Sequence, residues 1–272
     1  MMCVPPGRRA PRTRYDEAMN QPDSPSLLQP GEQARRAGSR VAFFGGSFDP
    51  PHLGHLAVAR AARAAFRLDT VLFAPVCVQP LKPEGSAASF GQRLAMTRLA
   101  IAGEPGFEVS LADAPKPSGK HDFAPNYTID TLEELRAGLA PECALYCLMG
   151  ADSFFGLRRW HRAAEIPFVA PLIVASRPGQ PLDGLRAALP PALTMEPAPD
   201  GDKTESGVEV RAFVLVNQAG DRAPFYLLPG LYVEISASDI RAQIRTSTKH
   251  RSGTRLLPVS VARYIESHHL YG

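Results

Sequence analysis

From Val41 onward, short apolar runs alternate with longer stretches of helical composition. Val41-Ala42-Phe43-Phe44 has no polar alternation, which predicts a strand buried on both faces. Leu53 to Phe66 is Ala-rich and reads as the helix that follows. The rhythm then repeats: strand Val71 to Ala74, helix Phe90 to Ala102, strand Phe107 to Ser110, helix Thr128 to Leu139. Leu145 to Met149 is a further strand running into Gly150-Ala151-Asp152-Ser153, and Leu172 to Ala175 is another, ended by Arg177-Pro178-Gly179. Strands alternating with helices predict an α/β fold, a parallel sheet flanked by its crossover helices. Ligands of such sheets gather beyond the carboxyl ends of the strands, where the turns after Phe44, Ala74 and Met149 all fall.

The pattern changes between Met195 and Pro224, where Pro, Asp and Gly precede the run Val208 to Val216 and a polar turn, Asn217 to Asp221. This predicts an inserted hairpin or arm, about residues 197–224. The tail resumes with Phe225 to Leu228 and Val233 to Ile235, then a small helical part: Ser238 to Arg245 and an amphipathic Val259 to His269. Residues 1–40 are rich in Pro, Arg, Ser and Gln and are expected to be a disordered arm before a single domain spanning 41–272. Met19 offers a second start.

With 272 residues and 44% hydrophobic content, the chain can bury a full core. A net charge of +3, with Arg8, Arg9, Arg12 and Arg14 in the arm, is too small to argue for nucleic acid as a partner. No apolar run suits a signal-peptide core or a membrane span, so no membrane partner and a cytoplasmic location are expected. Cys3, Cys77, Cys143 and Cys147 lack zinc or redox spacing and are expected to be reduced. Homo-oligomerisation, if it occurs, is expected to use the insertion or the last helix.

The candidate chemistry starts in Gly45-Gly46-Ser47-Phe48-Asp49-Pro50-Pro51-His52-Leu53-Gly54-His55. A small-residue turn between strand and helix exposes backbone N–H groups to an anion, and glycines permit close approach. His52 and His55, three residues apart at the helix start, reach the same side of that pocket. A glycine turn alone is common, and two histidines without a third ligand nearby are a poor zinc site. A second element repeats the logic: in Ile235-Ser236-Ala237-Ser238-Asp239-Ile240-Arg241 a serine can cap a helix whose first N–H groups face an anion, with Arg241 at the same end.

Gly45 to Pro50 followed by His-x-Gly-His resembles the signature of the nucleotidylyltransferase superfamily, whose fold is Rossmann-like. With Asn126 to Leu132, Gly150 to Ser153, Trp160-His161, Leu172 to Gly179 and Ile235 to Arg241, the chain more narrowly resembles bacterial nicotinate-nucleotide adenylyltransferases. The resemblance implies transfer of the adenylyl group of ATP to nicotinate mononucleotide, with magnesium carried by ATP. It implies that His52, His55, Lys82 and Arg241 are catalytic, supplying positive charge. Gly45, Gly46, Ser47, Phe48, Gly150, Asp152, Ser236 and Ser238 would bind ATP, and Tyr127, Thr128 and Trp160 the pyridine nucleotide. The chain departs from the family pattern at Leu81, where relatives commonly carry a histidine before the basic residue, and in its longer insertion. The alternative acceptors are nicotinamide mononucleotide, phosphopantetheine or a sugar or alditol phosphate. A nucleotide-binding regulator without activity is a remoter reading, and a dinucleotide oxidoreductase lacks its Gly-x-Gly-x-x-Gly.

Overall fold

A computed structural model of the chain describes residue 34 and residues 36–82, 84–118, 122–176, 182–231, 236–246 and 253–272. Most of the expected arm, the turn Arg177-Pro178-Gly179 and the strand Val233 to Ile235 lie outside the described residues. Close to the expected domain start, Ala34 and Ser39 are buried against the body, and Ser39 Oγ donates to Ala34 O (3.3 Å).

The parallel strands are β1 (Arg40–Gly46), β2 (Thr70–Pro75), β3 (Phe107–Val109), β6 (Ala144–Gly150) and β7 (Leu172–Ala175). Strands β8 (Leu193–Pro197), β10 (Val208–Asn217) and β11 (Arg222–Leu228) complete the order β3-β2-β1-β6-β7-β11-β10-β8. A short β9 (Lys203–Glu205) pairs with β10, and β4 (Lys116–Ser118) pairs with β5 (Asp122–Ala124) in a separate ribbon. The chain direction along the sheet reverses between β1 and β6, so the crossovers splay apart there and leave a crevice at the carboxyl ends.

Alternation along β1 divides the core. Val41 and Phe43 face one cluster, where α3 (Thr128–Gly138) supplies Ile129, Leu132 and Leu135. Ala42 and Phe44 face the other, covered by α1 (Leu53–Phe66), α2 (Phe90–Ile101), α7 (Ala237–Thr246) and α8 (Val259–Ser267). Both faces of the strand are buried, as its unbroken apolar run requires. Helix α1 packs small alanines, Ala59, Ala62 and Ala65, against the sheet and ends at Arg67, whose φ of 49° is left-handed. Helix α2 begins with a reciprocal cap: Gln92 N–H donates to Ser89 Oγ, and Ser89 N–H donates to the Gln92 side chain.

Two expectations need correction. Gly45 and Gly46 do not form the turn: they end β1, paired with Ala74 and Pro75, and the turn proper starts at Ser47. The hairpin expected between 197 and 224 forms as β10 and β11, but it does not stand off as an arm. Phe225 to Leu228 pair in parallel with Leu172 to Ala175, so the hairpin continues the main sheet. Its inward residues Phe213, Leu215, Phe225 and Leu227 are core, which explains the attachment.

Candidate active site

Glycine at position 45 is required by packing: a Cβ there would lie 2.8 Å from the buried Phe43 ring. At Gly46 it would lie 3.2 Å from the Phe48 ring. Phe48 itself is buried with a left-handed φ of 46°, and its ring sits 4.9 Å from that of His55, edge to face. His52 precedes the first turn of α1. The His55 N–H donates to the His52 carbonyl (2.9 Å), while His55 Nδ1 accepts from the His52 N–H (3.1 Å). The two imidazoles stack, centroids 3.7 Å apart.

Burial pushes the His52 imidazole down to about 4, and burial followed by repulsion from His52 holds His55 well below its usual range. Before an anion arrives, both histidines are therefore neutral near pH 7, and any positive charge they bring to a phosphate follows its arrival. His52 Nδ1 is buried without a hydrogen-bond partner, a polar atom that a phosphate oxygen would satisfy once the ring is protonated. The standing positive charge therefore belongs to lysine and arginine.

Those cations come from two other directions. Lys82 Nζ reaches Ser47 Oγ (3.4 Å), and Ser47 in turn donates to Gln79 Oε1 (2.9 Å). From the far side, Ser236 caps α7, accepting the Asp239 N–H and donating to the Asp239 carboxylate. Ser238 is free of capping duty and accepts from Arg241 Nη2 (3.2 Å). Arg241 Nη1 crosses to the Asp49 carbonyl (2.6 Å). The glycine strand end and the distant serine helix thus meet across one cleft, although Ile235 lies outside the described residues.

The same cleft, about 1200 Å³, runs on to Gly150 at the end of β6, to exposed Asp152 in α4 (Ala151–Phe154), and to Tyr127, Thr128 and Trp160. Its volume exceeds that of ordinary single-ligand pockets and suits two nucleotides laid end to end. Tyr127 packs its ring on His161 (4.5 Å), and half-buried Trp160 rests on the core. Every candidate site residue is therefore found on one wall or another of this cleft. Among the lining residues to which the sequence reading gave no role are Gln79, Arg159 and Asp113. Arg159 is exposed beside Trp160 and has no hydrogen bond or ion pair from its side chain among the described residues. Its place next to the chain's single tryptophan was the available signal. Asp113 is buried, bonded by Thr131 Oγ1 (2.6 Å) and raised to about 6 by burial, and no motif marks it.

Residues 43–243 match the cytidylyltransferase-like family model. A probable nicotinate-nucleotide adenylyltransferase of Pelobacter propionicus is 36% identical over 232 residues, 85% of this chain and 98% of that protein. Its counterpart in Gloeobacter violaceus is 37% identical over 235 residues, 86% of this chain and 97% of that protein. The solved Plasmodium falciparum nicotinic acid mononucleotide adenylyltransferase complexed with NaAD has a TM-score of 0.58 at 15% identity, covering 86% of this chain and 97% of that one. This last likeness speaks for the Rossmann-like nucleotidyltransferase fold alone. The identity and coverage of the bacterial relatives go further: the chain belongs to the cytidylyltransferase-like family and, within it, to the nicotinate-nucleotide adenylyltransferases.

Proposed function

We propose that the protein transfers the adenylyl group of ATP to nicotinate mononucleotide, forming nicotinate adenine dinucleotide and pyrophosphate in cytoplasmic NAD biosynthesis. The observation that carries this reading is the meeting of Arg241 with the Asp49 turn across the cleft, which supplies one string of phosphates with donors from both sides.

A phosphate oxygen of the mononucleotide attacks the α-phosphorus in line. The bond from that phosphorus to the bridging oxygen breaks, and its electron pair leaves with pyrophosphate. The nucleophile is already anionic near neutral pH, so no side chain has to remove a proton, and alignment and charge stabilisation carry the rate. Arg241 and Lys82 hold the departing phosphates, Ser238 and the first N–H groups of α7 add neutral donors, and His52 and His55 become charged as phosphate approaches. Tyr127, Thr128 and Trp160 hold the pyridine end, and Asp152 the adenosine ribose. Among the described residues no three His, Cys, Asp or Glu side chains gather into a metal centre. Magnesium would arrive as part of the substrate, bound to the triphosphate, and would neutralise part of its charge.

The test is incubation of the purified protein with ATP, magnesium and either nicotinate or nicotinamide mononucleotide, with chromatography of the products. Nicotinate adenine dinucleotide formed with stoichiometric pyrophosphate is the expected result. No dinucleotide from either acceptor overturns the reading, and preference for the amide overturns the choice of acceptor.

A further inference from the structure

We propose that Tyr271 is a positioning residue for the phosphate side of the cleft, acting through Asp49; the proposal rests on the adenylyl-transfer reading above. Asp49 lies in the turn that follows the glycine end of β1 and is 3% exposed. Its carboxylate is committed to three donors. Oδ1 accepts from the Tyr271 hydroxyl (2.7 Å) and the Ala88 N–H (3.1 Å), and Oδ2 accepts from the Ala87 N–H (2.7 Å). Its backbone carbonyl takes the Arg241 guanidinium. One residue therefore joins the signature turn, the segment before α2, the cationic helix α7 and the residues beyond α8.

Arg93 braces the same turn from behind. It is 2% exposed, donates to Ser47 O (2.7 Å), and places its charge where the Asp49 carboxylate feels it. With Arg93 bonded to backbone carbonyls and the Asp49 carboxylate held by Tyr271 and two backbone amides, Asp49 is placed to shape the turn.

Tyr271 reaches Asp49 only because the chain reverses after α8. Leu270 N–H closes on Ile265 O (3.0 Å), and His269 and Tyr271 hold left-handed φ values of 50° and 67°. A bulky residue with positive φ is strained, and such strain persists where the surrounding contacts over-determine it. Here those contacts are the hydroxyl bond to Asp49 and the packing of Leu270 and Tyr271 on the second core cluster. Burial and the neighbouring carboxylate hold the phenol protonated far above neutral pH, so it remains a donor throughout the working range. Removing that donor frees Asp49 to rotate, and the turn then loses its register against Arg241 and His52 together.

Tyr271→Phe tests this, since it keeps the ring and deletes only the hydroxyl. The expected result is a fall of about tenfold in kcat/KM for ATP, with KM for nicotinate mononucleotide within about twofold of the parent, the asymmetry expected of misplaced triphosphate contacts. Hydrogen exchange at the Ala87 and Ala88 amides, which donate to Asp49, should quicken in the variant while exchange in β3 stays unchanged. A kcat/KM for ATP within about twofold of the parent overturns the proposal, as does an equal loss for both substrates with a lowered unfolding temperature. If the variant does not fold, the parent decides: bound ATP and magnesium should slow exchange at those two amides, and unchanged exchange refutes the coupling. An inactive parent would refute adenylyl transfer itself, whereas an active parent beside an equally active Tyr271→Phe refutes only this role.

Discussion

Acidification should weaken the fold through His52 in a calculable way. The native ring titrates at about 4 because it is buried, whereas in the unfolded chain it titrates near the ordinary 6.5. Between those values the unfolded chain holds a proton that the native protein refuses, so this contribution is complete above the unfolded value and is lost as pH falls toward the native one. At about pH 5.5 an unfolded histidine is roughly nine-tenths protonated and native His52 almost not at all, a loss of about 1.3 kcal/mol relative to about pH 7.5. Urea unfolding of the parent and of His52→Asn at both pH values isolates the term, since asparagine carries no titrating ring and native His52, uncharged at both pH values, exerts no repulsion on His55, so the other groups cancel in the difference. The parent should lose about 1.3 kcal/mol more than the variant on acidification. Equal losses would mean that His52 is not held neutral, and the account of a histidine pair charged only by its ligand would fail. With a saturating, non-hydrolysable ATP analogue, phosphate beside the ring should favour its protonation, and the gap should close.

Three further outcomes follow from the geometry. His55→Ala should lower kcat about a hundredfold, the cost of losing one preorganised donor, read by pyrophosphate release; turnover within about threefold of the parent would contradict the role. Arg159→Ala should reduce the preference for nicotinate over nicotinamide mononucleotide about tenfold in a competition assay, because the guanidinium beside Trp160, unpaired among the described residues, suits a carboxylate and gives an amide no ion pair. An unchanged ratio would remove Arg159 from the recognition of the pyridine ring. Gly45→Ala should destabilise the protein by about 1–3 kcal/mol in urea unfolding, since the added methyl would lie 2.8 Å from the Phe43 ring, and unaltered stability would contradict that packing.

Elements driven by local composition were legible. Leu53–Phe66 and Leu172–Ala175 have the bounds the pattern implies, and most other core strands and helices differ by a residue or two. The strands Lys116–Ser118 and Asp122–Ala124 are three residues each and carry no periodic signal, so pairing rather than propensity forms them. The hairpin was visible in its apolar run and polar turn, but its parallel seat beside β7 was not, because a strand's neighbour is chosen by distant core contacts. The two walls of the cleft could be read because each is a contiguous motif with local chemistry. The neutral histidines and the braced Asp49 could not, since each depends on what the fold stacks around it.

The Asp49 carbonyl and the Arg241 guanidinium that meet across the cleft stand 192 positions apart in the chain. A ribosome must therefore synthesise nearly the whole protein before the two can touch. Through most of its synthesis, the nascent polypeptide displays the glycine strand without Arg241, and the cleft wall that α7 supplies is missing until that helix has cleared the exit tunnel.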